Sequence, residues 1–274
     1  MVWAFSFGLI KGHLVGLSPS FVSLVRMVLS LVLFLPFLRL QRLGWSRAVQ
    51  LLLLGSVQYG LMYVLYVASF ETLAAHEVAL FASFTPLFVV LLDDGLGRVF
   101  RPRFAVAALL AVAGALVLGR GFLGVPGAWK GILLMQGSNL CFAVGQVWYR
   151  RLGPGVGPSH REYALPYAGA VLATGVFVLL TPGSVPTELS LDQVAVLGYL
   201  GVLASGVCFY LWNVGATRTN AGVLAVFNNA KVPLGVLVSL VVFGESASWW
   251  RLGVGACLVA LALWVGVGRR GGVT

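Results

Sequence analysis

The sequence predicts an all-α polytopic membrane protein, with ten transmembrane helices arranged as two inverted five-helix repeats. Three observations carry this reading. Hydrophobic residues make up 59% of the 274-residue chain and charged residues only 9%, against about 25% charged in an ordinary soluble domain. A chain of this length has too much surface to hide that apolar surplus in one soluble core, whereas in a bilayer the surplus faces lipid. The apolar residues also fall into ten segments near the roughly 20 residues that a helical span needs. Finally, the basic residues gather in alternate connections between those segments.

The expected spans are Val2–Gly16, Pro19–Leu38, Ala48–Phe70, Leu73–Leu92, Phe104–Gly119, Ala128–Val147, Tyr163–Leu180, Val194–Val214, Ala221–Phe243 and Trp249–Gly268. A membrane barrel would instead show alternating segments of about ten residues, and an unpaired strand in lipid would leave its backbone groups unsatisfied. Leu17-Ser18-Pro19, Asp94-Gly95, Gly124-Val125-Pro126, Gly153-Pro154-Gly155 and Thr181-Pro182-Gly183 read as breaks between spans. The opening MVWAFSFGLI lacks the basic start and small-residue cleavage site of a signal peptide, and Lys11 makes the first segment short for a span.

The net charge of +10 could indicate nucleic-acid binding, but no basic helix or basic tail is present. The arginines punctuate apolar segments, as in cytoplasmic loops. With the N-terminus inside, the inner side holds twelve: Arg39, Arg42, Arg47, Arg98, Arg101, Arg103, Arg150, Arg151, Arg161, Arg218, Arg269 and Arg270. The outer side holds four: Lys11, Arg120, Lys130 and Arg251. That asymmetry places both termini in the cytoplasm, and Glu71, Glu77, Glu188, Asp192 and Glu245 at the outer side. Cys141, Cys208 and Cys257 lie in apolar segments without CxxC spacing, so no metal site and no disulfide framework is expected.

A repeat supports the inverted arrangement. At one fixed offset, Tyr63 falls on Tyr210, Val67 on Val214, Thr72 on Thr219, Ala74 on Ala221, Pro86 on Pro233 and Leu87 on Leu234. Each stretch ends a span, turns and runs through the next, with the proline in register. Five spans separate the copies, and an odd number inverts the second in the membrane. The expected halves are residues 1–120 and 128–270, integrated in one membrane domain. In such proteins the substrate site lies at the repeat interface near the midplane.

The residues VWAFSF at Val2–Phe7, LVRMVLSLVLFLPFL at Leu24–Leu38, FASFTPLFVVLL at Phe81–Leu92 and NVGATRTNAGVLAVFNNAKVPLGVLVSLVVFGE at Asn213–Glu245 resemble the ten-helix EamA family of the drug/metabolite transporter superfamily. QGSNLCFAVGQVWYRRL at Gln136–Leu152 and LASGVCFYLWNVGATRTNAGVLAVFNNAKVP at Leu203–Pro233 are similar to the bacterial biotin importers of that family. LLDDGLG at Leu91–Gly97 departs from the Gly-Glu pair usual at that place, which Gly244-Glu245 keeps. The resemblance implies a proton- or gradient-driven carrier of the bacterial cytoplasmic membrane that needs no ATP and no cofactor. Its partners would be a small solute, such as biotin, a similar carboxylate or an amino acid, and the lipid bilayer.

The sharpest single residue is Lys231, near the middle of Ala221–Phe243. A charge at that depth costs at least about 2.5 kcal/mol, so it is expected to face the bundle interior. Asn228 lies one turn before it, Asn229 beside it, and Pro233 loosens the local backbone. Together they would suit the carboxylate of a substrate. The plainer alternative is a lysine paired to a buried acid. Arg26, seven residues into its span, either lines the site or reaches for the interface. Glu77, with His76, opens the fourth span and reads either as a proton carrier or as an ordinary acid at a helix N-terminus.

The neutral candidates are Asn139 and Gln146 on one face of the sixth span, Trp212 and Asn213 at the end of the eighth, and Gln58, Tyr59, Tyr63 and Tyr66 along the third. Trp3 could add a wall from the first. Singly, each could be a packed amide or ring; together they suit a solute with an apolar body, a hydrogen-bonding ring and a carboxylate. Gly8, Gly12 and Gly16 are spaced for close helix packing. GRGFLG at Gly119–Gly124 matches GxGxxG but opens no βαβ unit. An intramembrane enzyme is disfavoured, because HExxH, GxSxG and His–carboxylate clusters are missing. An exporter of amino acids or cationic drugs is the competing reading, although a cation carrier wants a deep acid where this sequence offers deep cations.

Overall fold

The computed structural model describes residues 2–40, 43–97, 127–152, 160–218 and 234–244, with isolated positions at 106, at 110 and between 250 and 265. The described residues are helical throughout, apart from their connections. The first helix, α1, runs from Val2 to Leu9 and widens into a π-helical turn over Ile10–Leu14. Lys11 sits in that turn, and its Nζ donates to Phe70 O at 2.7 Å. The lysine that shortens the first span thus binds a carbonyl at the end of another helix, where a cation is favoured.

Helix α2 spans Pro19–Phe37 and α3 spans Trp45–Ser69; α4 spans Ala75–Leu96 and α7 spans Leu191–Gly215. These four are long and apolar enough to cross a membrane. Between them lie α5, Ala128–Arg151, and α6, the shorter apolar helix Ala164–Leu180. A further helical stretch covers 234–241 and stops at Gly244, whose φ is +66°. Leu179, Leu191 and Val241 are largely exposed, as lipid-facing side chains should be, and Trp45 and Trp129 stand exposed at helix starts.

Local chemistry sets the ends. Pro19 starts α2 where its missing N–H costs nothing, and Pro36 tightens its last turn into 3₁₀ geometry. Ser190 caps α7 by accepting from Gln193 N, while Gln193 Oε1 accepts from Ser190 N. Asp94-Gly95 is not the break expected there. The helix α4 runs through it and ends only at Leu96, with Asp93 Oδ1 3.1 Å from Arg151 Nη2 on α5.

Glycines let the helices touch. A Cβ on Gly8 would lie 2.1 Å from the Phe243 ring, so α1 packs directly on 234–244. Gly16 plays a different part from the packing expected of it: its φ of +104° makes the turn into α2, and nothing stands near its absent side chain. The central helix α3 is π-helical over Ser56–Leu61, and α7 is π-helical over Tyr199–Val207. Tyr63 and Tyr210, paired in the repeat, each follow one of these stretches. Thr219, Ala221 and Pro233 lie outside the described residues, as does most of the fifth, ninth and tenth expected spans.

Candidate functional site

A central cavity of about 600 Å³, counting its open side, lies among α1, α2, α3, α4, α5 and α7. Its walls are mainly aromatic and apolar: Trp3, Phe7, Met62, Tyr63, Tyr66, Met135, Phe142 and Phe209. Ser6, Arg26, Thr85, Ser138 and Asn139 supply the polar atoms, and no carboxylate lines it among the described residues. A mostly apolar pocket with a few placed polar groups is the usual form of a small-molecule site.

Arg26 is 1% exposed, so it does not reach for the interface. Its Nε donates to Ser205 Oγ on α7 at 3.1 Å, and its Cζ sits 4.0 Å from the centre of the Tyr63 ring. Ser205 Oγ in turn donates to Tyr63 OH at 3.1 Å, and Tyr167 OH donates to Ser205 O at 2.5 Å. Helices α2, α3, α6 and α7 therefore fix one guanidinium. Its Nη1 is buried without a hydrogen-bond partner.

The opposite wall is built by Pro86. Proline cannot donate to the carbonyl one turn back, and α4 tightens to 3₁₀ geometry over Ala82–Phe84. The carbonyls so freed are taken by side chains. Thr85 Oγ1 donates to Ala82 O and to Asn139 Oδ1, both at 2.9 Å. Asn139 Nδ2 donates to Phe81 O at 2.8 Å and to Gln136 Oε1 at 3.1 Å. Asn139 is thus at the cavity, but its amide is occupied in holding the kink.

Tyr59, Asn213 and Trp212 stand beside the cavity rather than on its surface. Asn213 Nδ2 donates to the hydroxyls of Tyr59 and Tyr163, which are 2.9 Å apart, and Tyr163 OH also donates to Phe209 O. Trp3 packs at a tilt against Phe209 and edge-on to Trp212, with Nε1 donating to Ala204 O at 2.9 Å. Gln58 is buried against Gly145, with neither amide atom hydrogen-bonded, and Gln146 is buried on the same helix as Asn139.

Glu77 and His76 lie apart, at the start of α4. Glu77 Oε2 accepts Ala74 N at 2.8 Å, and Oε1 is 3.7 Å from His76 Nε2. Thr85, at the cavity, is eight residues further along, about 12 Å of helix. Lys231, Asn228 and Asn229 fall outside the described residues.

Of the residues expected from sequence, the structure brings Trp3, Arg26, Tyr63, Tyr66 and Asn139 to one cavity. Sequence reasoning missed Ser6, Phe7, Met62, Thr85, Ser138, Phe142 and Phe209 in the lining, and Tyr163, Tyr167 and Ser205 behind it. A signal existed for two of these groups. Thr85 immediately precedes the repeated proline, and Tyr163 and Tyr167 share a helix face one turn apart. Among the described residues, no three His, Cys, Asp or Glu side chains gather as a metal site would need.

Known proteins share this architecture. Residues 1–120 and 129–267 match the EamA-like transporter family. A biotin transporter of Salmonella typhimurium is 37% identical over 268 residues, covering 97% of this chain and 89% of that protein. An aromatic amino acid exporter of Ancylobacter novellus is 30% identical over 206 residues, covering 73% of this chain and 68% of the exporter. A solved crystal structure at 22% identity superposes with a TM-score of 0.68, covering 98% of this chain and 95% of the other, and so shares its fold. With a helical membrane body, an aromatic cavity inside it and family matches along nearly its whole length, the chain belongs to the EamA-like transporter family of the drug/metabolite transporter superfamily.

Proposed function

We propose that this protein is a secondary active transporter that carries a small organic carboxylate, biotin or one chemically like it, across the bacterial cytoplasmic membrane by alternating access. The observation that carries the reading is the cavity: aromatic walls for an apolar body, and a buried cation where a carrier of cations would need an acid. The identity to a biotin transporter over almost the full chain supports the same substrate. Ten spans in two inverted halves, 1–120 and 128–270, with both termini cytoplasmic, fit the basic-residue asymmetry and the repeat. The π-helical stretches at related places in α3 and α7 agree with them. In this scheme Lys231, Asn228 and Asn229 face the same cavity, and Glu77, beside His76, carries the coupled proton.

Export of an aromatic amino acid is the second reading. The 30% identity to such an exporter favours it, and the ring-lined cavity suits a ring. Reconstitution separates the two. Proteoliposomes are loaded with this protein and supplied with labelled biotin or labelled tryptophan, with and without an imposed proton gradient. Gradient-driven accumulation of biotin is expected. Movement of tryptophan with none of biotin would replace the first reading by the second.

A further inference from the structure

We infer that Arg26 is an anion post of the cavity: its guanidinium takes one carboxylate oxygen of the substrate, and the substrate's other end is held by rings rather than by polar groups. The inference rests on the carboxylate reading above and says how the site enforces it.

Three observations lead there. First, the guanidinium has no acid partner among the described residues, although it is 1% exposed on a helix long enough to span. Leaving a buried cation unpaired is costly, and the cost is lifted when an anion enters. Second, the guanidinium is already aimed. Its Nε is used by Ser205 and its face rests on Tyr63, so the head cannot swing away, and Nη1 is buried without a hydrogen-bond partner. A head held at Nε and stacked on a ring meets a carboxylate in one orientation, which gives specificity without reorganisation. Third, three of the polar side chains across the cavity are already used. Asn139 holds the kink of α4, Thr85 is bonded to Ala82 O and Asn139, and Ser6 Oγ donates to Val2 O on its own helix. Among the described wall residues Arg26 is the charged one, and its Nη1 is buried without a hydrogen-bond partner.

The ligand class follows: a monocarboxylate with a largely apolar, ring-sized body. Removing the substrate's charge should matter far more than altering a polar group at its remote end.

Calorimetry on the purified full chain with biotin and with its neutral amide, biotinamide, tests this. The parent protein should prefer biotin by about tenfold or more, the value of one charge-assisted hydrogen bond. Two neutral variants are read in parallel. Arg26→Gln keeps a donor for Ser205, and Arg26→Met keeps apolar volume over Tyr63. In both, the preference for biotin over biotinamide should fall by about tenfold, with the amide affinity within about threefold of the parent's. A preference for biotin undiminished in either variant would overturn the inference and leave the transport reading standing. Loss of both ligands in both variants would assign Arg26 to the cavity's shape and also overturn it. Should the parent protein bind neither ligand, the carboxylate reading itself fails.

Discussion

Two helix junctions flank the cavity, and they are closed by the same device with different tightness. Where α3 meets α6, Ser56 Oγ is shared between Leu52 O in its own helix and Gly169 O in the next, at 3.0 and 2.9 Å. Where α2 meets α7, Ser30 Oγ is shared in the same way between Arg26 O and Gly201 O, at 3.0 and 2.8 Å. Each junction adjoins a π-helical stretch. The glycines differ. At α3–α6 the main chains themselves touch: a Cβ on Gly55 would stand 1.8 Å from Pro166 O, and one on Gly169 would stand 1.9 Å from Leu52 O. At α2–α7 the facing atoms are side chains, Leu29 against Gly201 and Leu33 against Gly206. Backbone against backbone has one way to fit, whereas leucines can change rotamer as helices slide. The junction that holds Arg26 and Ser205 is therefore the compliant one. The α3–α6 junction, backbone against backbone, is the rigid one.

The largest expected effect attacks the rigid junction. Gly55→Ala forces the Pro166 backbone aside and should destabilise by more than about 4 kcal/mol, the severe end for a point mutation. Beyond its own helix Gly206→Ala meets the Cδ2 end of Leu33 at 2.8 Å and Ser30 Oγ at an ordinary 3.7 Å, and it should remain folded. Size-exclusion profiles and thermal midpoints in detergent compare them. Equal behaviour would remove the distinction between the junctions.

Next in size is Glu77→Gln, which asks whether coupling sits outside both junctions. Glutamine keeps an oxygen for Ala74 N and so keeps the helix start. Gradient-driven accumulation should be lost while biotin exchange stays within about twofold. Undiminished accumulation would make Glu77 a capping residue alone. If Lys231 faces the cavity as proposed, Lys231→Ala should weaken biotin binding by about tenfold, the value of one charge-assisted bond. Binding unchanged in that variant would concentrate the cavity's charge on Arg26 and the α2–α7 wall.

Much of the helical framework is legible in the sequence, because lipid demands it. Pro19–Leu38 is expected and Pro19–Phe37 found; Val194–Val214 is expected and Leu191–Gly215 found. The small differences come from caps such as Ser190, whose reach a hydropathy reading does not register. Helix α5 continues past the expected Val147 to Arg151, because basic residues suit a helix C-terminus. The site is half legible. Arg26 stands out as a charge within a span, but its burial depends on Ser205, 179 residues away. Asn139 is visible as a polar residue in an apolar helix. Its occupation by the α4 kink is not, since only the folded chain brings Thr85 and Phe81 to it. Hydroxyls are the hardest to read: Tyr163 and Thr85 look like ordinary members of apolar helices until their partners arrive.

The smallest effect sharpens the comparison most. Ser56→Ala and Ser30→Ala each delete one shared hydroxyl and leave the glycine carbonyl opposite without that donor. Hydrogen bonds between membrane helices contribute about 0.6 kcal/mol each, so both variants should fold, and their thermal midpoints should fall by a similar, small amount. If the two junctions were mechanically alike, transport would fall equally too. The leucine-cushioned junction predicts otherwise. Ser30 ties α2 to α7 at the very turn that carries Arg26, and its loss lowers the resistance to sliding by about 0.6 kcal/mol, close to a threefold change in a two-state equilibrium. Ser56 ties helices already locked by backbone contact, so its loss changes stability without changing the balance of states. Initial rates of biotin uptake in proteoliposomes, normalised to the folded fraction, should therefore shift by about two- to threefold for Ser30→Ala and stay at the parent value for Ser56→Ala. The opposite pattern would move the sliding interface to α3–α6 and make the Arg26 wall the fixed one.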